Sequence, residues 1–177
     1  MTANATPDVL VISASNGENL KLGERFVAAG RELGRQTDLL DLTSLPLPLY
    51  NPRAHAADGV PDAARALSSQ LQAAPRWLIC APEYNGSIPP VLSSAIAWLS
   101  VQGDDFRTLF NGRPIGMASH SGGGGMELLT VLRIQLAHLG AQVVGRQVQA
   151  NAAKPAKPES IRDLMVRLLQ MEPLQLS

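Results

Sequence analysis

Two runs of four consecutive apolar residues, Val9-Leu10-Val11-Ile12 and Trp77-Leu78-Ile79-Cys80, constrain this chain more than any other feature. A strand with one wet face alternates apolar and polar residues, whereas a strand apolar at every position must be covered on both faces. That is the condition of a parallel strand between two helix layers. Each run empties into a small polar or proline-rich loop and then into a segment with apolar residues at helical spacing: Leu22, Phe26, Ala29 and Leu33, ending near Gly34, after the first, and Leu92, Ala95, Ile96 and Leu99, within 91–100, after the second. The rhythm continues through a second strand at 37–42, a helix opened by Pro61 with the stripe Ala64, Leu67, Leu71 and Ala74, and a third strand over 76–81. A fourth strand at 113–119 precedes a helix carrying Leu128, Leu129, Leu132, Leu136 and Leu139, and a fifth at 142–148 precedes a stiff connector and a terminal helix with Ile161, Leu164, Met165 and Leu168. Five strands alternating with five helices predict an α/β domain, doubly wound, with a five-stranded parallel sheet and helices on both faces. Residues 1–177 read as a single domain, since this length supports one sizeable core.

Charge and cysteine usage narrow the function. Fifteen basic and fifteen acidic residues cancel, which argues against broad electrostatic binding to nucleic acid or an anionic membrane. No apolar run suffices to span a bilayer, and residues 1–8 lack a basic start and apolar centre, so a cytoplasmic protein is expected. The single cysteine, Cys80, lies inside an apolar strand and reads as a small core residue, so redox chemistry would need a cofactor. No metal-ligand cluster stands out: His55 reads as an exposed loop residue and His138 as surface, and Asp104-Asp105 as a solvated turn. The run Leu45-Pro46-Leu47-Pro48-Leu49-Tyr50-Asn51-Pro52 denies a helix, and its apolar residues imply packing, either at a site mouth or as a covered loop.

In an open α/β sheet, ligands sit beyond the C-terminal ends of the strands. Three loops lie there. Ser13-Ala14-Ser15-Asn16-Gly17-Glu18-Asn19 delivers hydroxyls and backbone N–H groups to a helix N-terminus, which suits a phosphate as well as ordinary capping. In Pro82-Glu83-Tyr84-Asn85-Gly86-Ser87, Asn85 and Gly86 permit positive φ and a sharp turn, and Tyr84 offers an aromatic body with a polar tip. His120-Ser121-Gly122-Gly123-Gly124-Gly125 keeps four successive glycines at an entropic cost, which points to close approach of main chain to a ligand rather than to a linker. Trp98 reads as packing, in the core or at an interface.

The stretch 82–87, with Pro89, Ala95 and Trp98-Leu99-Ser100 behind it, resembles the central signature of the NADPH-dependent FMN reductases, a flavodoxin-like family that includes chromate, quinone and azo-dye reductases. The resemblance runs from about Val9 to about Val144. It implies the flavodoxin-like fold, bound FMN, NAD(P)H as co-substrate, and cofactor contacts from Ser13, Ser15, Asn16, Gly17, Asn19, Leu20, Pro82, Glu83, Tyr84, Asn85, Gly86, Ser87, Ser119, Ser121, Gly122 and Gly123. It implies hydride transfer to the flavin and then electron transfer to a small acceptor: a quinone, azo dye, chromate or free flavin. Backbone N–H groups around Asn85, Gly86 and 122–124 would favour the charge that the ring gains. Hydride transfer needs no protein acid, so no catalytic residue is expected, His120 included. The family's dimers or tetramers make a homo-oligomer the expectation, with Trp98 a candidate contact. Where family members carry an arginine in the first loop, this chain has none, which predicts a looser hold on the phosphate, with Lys21 the nearest substitute. That departure keeps a second expectation open, a non-catalytic flavin-binding or apo interaction module on the same fold.

Overall fold

The computed structural model describes residues 6–175; the start of the expected leader-free segment, residues 1–5, lies outside them. Five strands, β1 (Val9–Ser13), β2 (Thr37–Asp41), β3 (Trp77–Cys80), β4 (Pro114–His120) and β5 (Gln142–Ala150), form one sheet. Every pairing is parallel and the order is β2-β1-β3-β4-β5, the flavodoxin-like order expected from the sequence. Helices α1 (Glu18–Glu32), α2 (Pro52–Asp58), α3 (Asp62–Ala73), α4 (Pro90–Ser100), α5 (Met126–His138) and α6 (Pro158–Gln170) connect and cover it.

The continuous apolar runs serve two cores at once. Leu10, Ile12, Trp77, Ile79, Ile115 and Met117 face Leu67 and Leu71 of α3, Leu92, Ala95 and Leu99 of α4, and Leu128, Leu132 and Leu136 of α5. Val9, Val11, Leu78, Cys80 and Ala118 point the other way, onto Leu22 and Phe26 of α1 and Ile161, Leu164 and Leu168 of α6. Alternate residues of one strand thus supply opposite layers. Each of the Val, Leu, Ile, Met and Phe side chains among these, fully buried, contributes roughly 1.5–3 kcal/mol against the conformational entropy lost on folding.

Cys80 is wholly buried, and burial pushes its thiol well above the ordinary range. Because only the thiolate reacts, the folded protein is expected to resist alkylation by iodoacetamide at pH 8 and to react stoichiometrically once denatured. Modification of native protein at the denatured rate would show that β3 opens.

The proline-rich region differs from expectation. The prolines do exclude a helix through Tyr50, but Pro52 is itself the first residue of α2: Asn51 Oδ1 accepts the N–H groups of Arg53 (2.8 Å) and Ala54 (3.3 Å), and Gly59 ends the helix at φ 74°. A proline with no N–H to lose fits that first position. His55 is therefore helical and half-buried rather than a loop residue, its ring 5.8 Å from that of Trp98 and 6.1 Å from that of Tyr50. Trp98 is 1% exposed. Its Nε1–H donates to Pro48 O (2.8 Å), while Ser94 Oγ donates to the same oxygen (3.3 Å) and accepts Tyr50 N–H (2.7 Å). The expectation that Trp98 contacts another subunit is corrected: its indole is used up in docking the proline segment onto α4. No helix among the described residues is long and apolar enough to cross a membrane.

Candidate functional site

The sheet order reverses direction between β1 and β3, where the chain leaves toward opposite faces, and in an open α/β sheet the ligand crevice lies beyond the strand ends at that point. The loops after β1, β3 and β4 border it. They are joined by hydrogen bonds that extend the sheet past its last paired residues: Ala14 N–H to Cys80 O (2.9 Å), Ala81 N–H to Ala118 O (3.1 Å) and Ser121 N–H to Ala150 O (3.0 Å).

Several side chains expected to face a ligand also hold these loops together. Asn19 is 2% exposed; its Nδ2–H donates to His120 O and its Oδ1 accepts His120 N–H, both at 2.8 Å. Ser121 Oγ accepts Glu83 N–H at 2.7 Å and pairs with Ser119 Oγ at 2.9 Å. Ser13 Oγ, wholly buried, donates to Ser15 O at 2.7 Å. Serine and asparagine are chosen here because they bond main chain at short reach. The side chains of Ser13, Asn19, Ser119 and Ser121 thus brace the loops beside the expected ligand position.

What is left open is largely backbone. Helix α1 is preceded by Gly17, which offers no side-chain cap; Leu20 N–H donates to Gly17 O (3.0 Å), so the N–H groups of Glu18 and Asn19 are the first-turn donors left without a partner among the described residues, beside the half-buried Ser15 and the exposed Asn16. Leu20, half-buried, follows inside that turn. In the middle loop, Tyr84 and Ser87 exchange N–H···O bonds of 3.0 and 2.9 Å around Asn85 (φ 51°) and Gly86 (φ 69°), a tight two-residue turn that needs both central residues left-handed. Tyr84 projects from it, 52% exposed, behind half-buried Pro82 and Glu83; Glu83 Oε2 is buried without a hydrogen-bond partner. The four glycines divide in two. Gly124 and Gly125 have φ of 92° and 78°, and a Cβ on Gly125 would run into Ser119 Oγ, so these two build the turn into α5. Gly122 and Gly123, like Gly17 and Gly86, have nothing within 4 Å of where a Cβ would stand.

Three uncapped or side-chain-free stretches around one crevice fit a flat, phosphate-bearing ligand such as FMN: N–H donors at the α1 start for an anion, and bare main chain at Gly86, Gly122 and Gly123 for a ring. The electrostatics are mixed. Lys21, the expected substitute for arginine, is bonded to Glu18 at 2.6 Å. Its ammonium, hydrogen-bonded to Glu18, holds that carboxyl below the usual carboxylate range, so this local support is present at neutral pH and fades as pH falls through that range. Glu18 therefore keeps a negative charge in the first turn of α1. Glu18→Gln is expected to tighten FMN binding by about threefold at low salt, with the gain shrinking as salt rises; a weaker or unchanged dissociation constant by fluorescence titration would place the phosphate elsewhere.

Sequence reasoning did not find the Ser94–Trp98 dock or the Glu18–Lys21 pair. The i, i+3 spacing of Glu18 and Lys21 was the available signal for the second. A broader groove of about 520 Å³ between α1 and α6 is lined by Arg25, Glu32, Glu159 and Arg162, whose opposed charges converge on no single ligand type. Among the described residues, no group of three or more His, Cys, Asp or Glu side chains is placed to hold a metal ion.

Comparison with known proteins bears on this arrangement. The model of the family described as NADPH-dependent FMN reductase matches residues 7–155. The chain is 33% identical over 113 residues to a quinone reductase of Escherichia coli (strain K12), an alignment that covers 60% of this chain and 58% of that protein. It is 28% identical over 136 residues to an NADPH azoreductase of Bacillus sp. (strain OY1-2), covering 75% and 72% of the two chains. The structure is similar to that of FerB, a flavoenzyme NAD(P)H:(acceptor) oxidoreductase from Paracoccus denitrificans, with a TM-score of 0.73, 19% identity, and 92% and 95% of the chains covered.

Proposed function

Because the chain belongs to the NADPH-dependent FMN reductase family, we propose that it is an FMN-dependent NAD(P)H oxidoreductase of the cytoplasm. A quinone or azo compound would be its small acceptor, as the names of its relatives suggest. When bound, FMN accepts a hydride from the nicotinamide and returns two electrons to that acceptor. The residues of this chain would do the holding. The first-turn N–H groups of α1, with Ser15 and Asn16, would take the phosphate; Tyr84, Asn85, Gly86 and Ser87 would flank the ring; and the bare backbone at Gly122 and Gly123 would approach its edge and offset the charge gained on reduction. A homo-oligomer belongs to this reading, with the exposed Val131 and Ile134 on the outer side of α5 as its apolar surface in place of Trp98.

The observation that carries the proposal is the bracing of the three loops by Asn19, Ser119 and Ser121, which leaves main chain rather than side chains open toward one crevice. The Glu18 carboxylate in a loop without arginine favours a second reading, a module that binds flavin weakly and does not turn over. The visible spectrum of the purified protein, with FMN titrated in if it is colourless, separates the two. Flavin bands that bleach anaerobically on adding NADPH or NADH support the reductase; a protein that FMN neither binds nor stabilises at micromolar concentration overturns it.

A further inference from the structure

Strand β5 is an edge strand, and the connector over 151–157 leads from it into α6, with Ala156 buried in the core that α1 and α6 cover. A recess of about 200 Å³ beside Gly123 and Gly124 is lined by Gln149, Ala150, Asn151 and Lys154. Lys154 also lines a second recess, of about 340 Å³, with Arg146, Lys157 and Ser160. Gln149 and Lys154 line both, so the two recesses adjoin along β5 as a stepped groove, with the glycine loop of the candidate site at one end and Lys157 and Ser160 at the other.

The far end of that groove is positively charged and rigid. Neither Lys154 nor Lys157 takes part in an ion pair among the described residues, while Arg146 is only partly neutralised, its Nε 3.4 Å from Asp163 Oδ2 and its Nη2 donating to Ser160 Oγ at 3.2 Å. The connector is pinned: Lys154 N–H donates to Asn151 Oδ1 (2.7 Å), Asn151 N–H to Lys154 O (3.0 Å), and Arg25 Nη2 to Ala156 O (2.7 Å). Pro155 and Pro158 stiffen it further. Lys157 precedes the first turn of α6, where the helix dipole opposes a cation. An anion between these groups would relieve both repulsions. The chemical difference between NADPH and NADH is one phosphate on the adenosine ribose.

From these observations we infer that Lys154 and Lys157 seat the 2′-phosphate of NADPH, which makes this chain select NADPH over NADH. The inference rests on the proposed function for placing the nicotinamide end by the glycine loop. The phosphate then lies among two ammonium groups, the Arg146 guanidinium and the Ser160 hydroxyl, and NADH leaves that end of the groove unpaired.

Calorimetric titration with adenosine 2′,5′-bisphosphate and with adenosine 5′-monophosphate, on wild type and on Lys154→Gln/Lys157→Gln, tests this without need of turnover. Both lysines are exposed and bonded through main chain alone, so the double variant should fold. The bisphosphate is expected to bind wild type about tenfold more tightly than the monophosphate, an advantage that high salt and the double variant both abolish. In steady-state kinetics the variant's KM for NADPH should rise by a similar factor with its kcat, and its KM for NADH, unchanged. Equal binding of the two nucleotides to wild type, discrimination that survives in the variant, or full displacement of the bisphosphate by equimolar inorganic phosphate would overturn it. Selective binding in a protein that reduces no flavin would support the phosphate seat while removing the proposed function; turnover without coenzyme preference would do the reverse.

Discussion

Trp98→Ala is expected to cost about 3–5 kcal/mol, the ordinary penalty for emptying a fully buried aromatic site. For a chain of this size that lowers the unfolding midpoint by roughly 10 °C. The ring is 1% exposed and stands edge-on to Tyr50 at 5.0 Å between centroids, and its N–H holds Pro48 O at 2.8 Å. Removing it opens a cavity and frees the proline segment from α4, leaving Ser94 alone to hold Pro48 and Tyr50. Trp98→Phe, which keeps most of the volume and loses the hydrogen bond, should cost about 1 kcal/mol beyond its smaller packing loss. Urea unfolding of the three proteins reads both effects, and an alanine variant within 1 kcal/mol of wild type would mean that the proline segment is not docked as described.

Asn19→Ala is expected to reach further into function than into stability. The change removes both hydrogen bonds to the His120 main chain and leaves a part-buried N–H and C=O unpaired, costing about 2 kcal/mol. Those two bonds also set the distance between the first loop and the glycine loop. Without them the phosphate-facing and ring-facing stretches lose their mutual register, and FMN affinity should fall at least about tenfold, since ordering must then be supplied by binding. Asn19→Asp should be no better, because it keeps the acceptor but presents a carboxylate to His120 O. Thermal unfolding paired with FMN titration separates the two effects. Retention of FMN affinity within twofold in Asn19→Ala would show that each loop is positioned independently.

Much of this architecture was legible in residue order. The unbroken apolar runs demanded strands covered on both sides, and the alternation of Leu10 and Ile12 with Val9 and Val11 between two cores is what such a run has to do. The Asn85-Gly86 pair announced a tight turn, and the turn is there. Helix α2 is hidden in the sequence because a run of prolines denies a helix everywhere except at a first residue, the position that the Asn51 cap gives Pro52. Trp98 was ambiguous for a different reason: an aromatic on a helix carries no mark of whether its own chain or another covers it.

The candidate site divides along the same line. Its place was set by local pattern alone, because strand, loop and helix follow one another in the chain and parallel order puts the loops at one end. Which of its polar groups bond to neighbouring main chain was decided only by tertiary structure. Asn19 and His120 are separated by 101 residues, and Ser121 and Glu83 by 38, yet each pair is joined once β1, β3 and β4 lie side by side. A serine or asparagine in a loop offers the same donors and acceptors to a phosphate as to a neighbouring backbone. The partner that wins is the one the sheet order brings within about 3 Å, and that is a property of the assembled sheet rather than of any stretch of sequence.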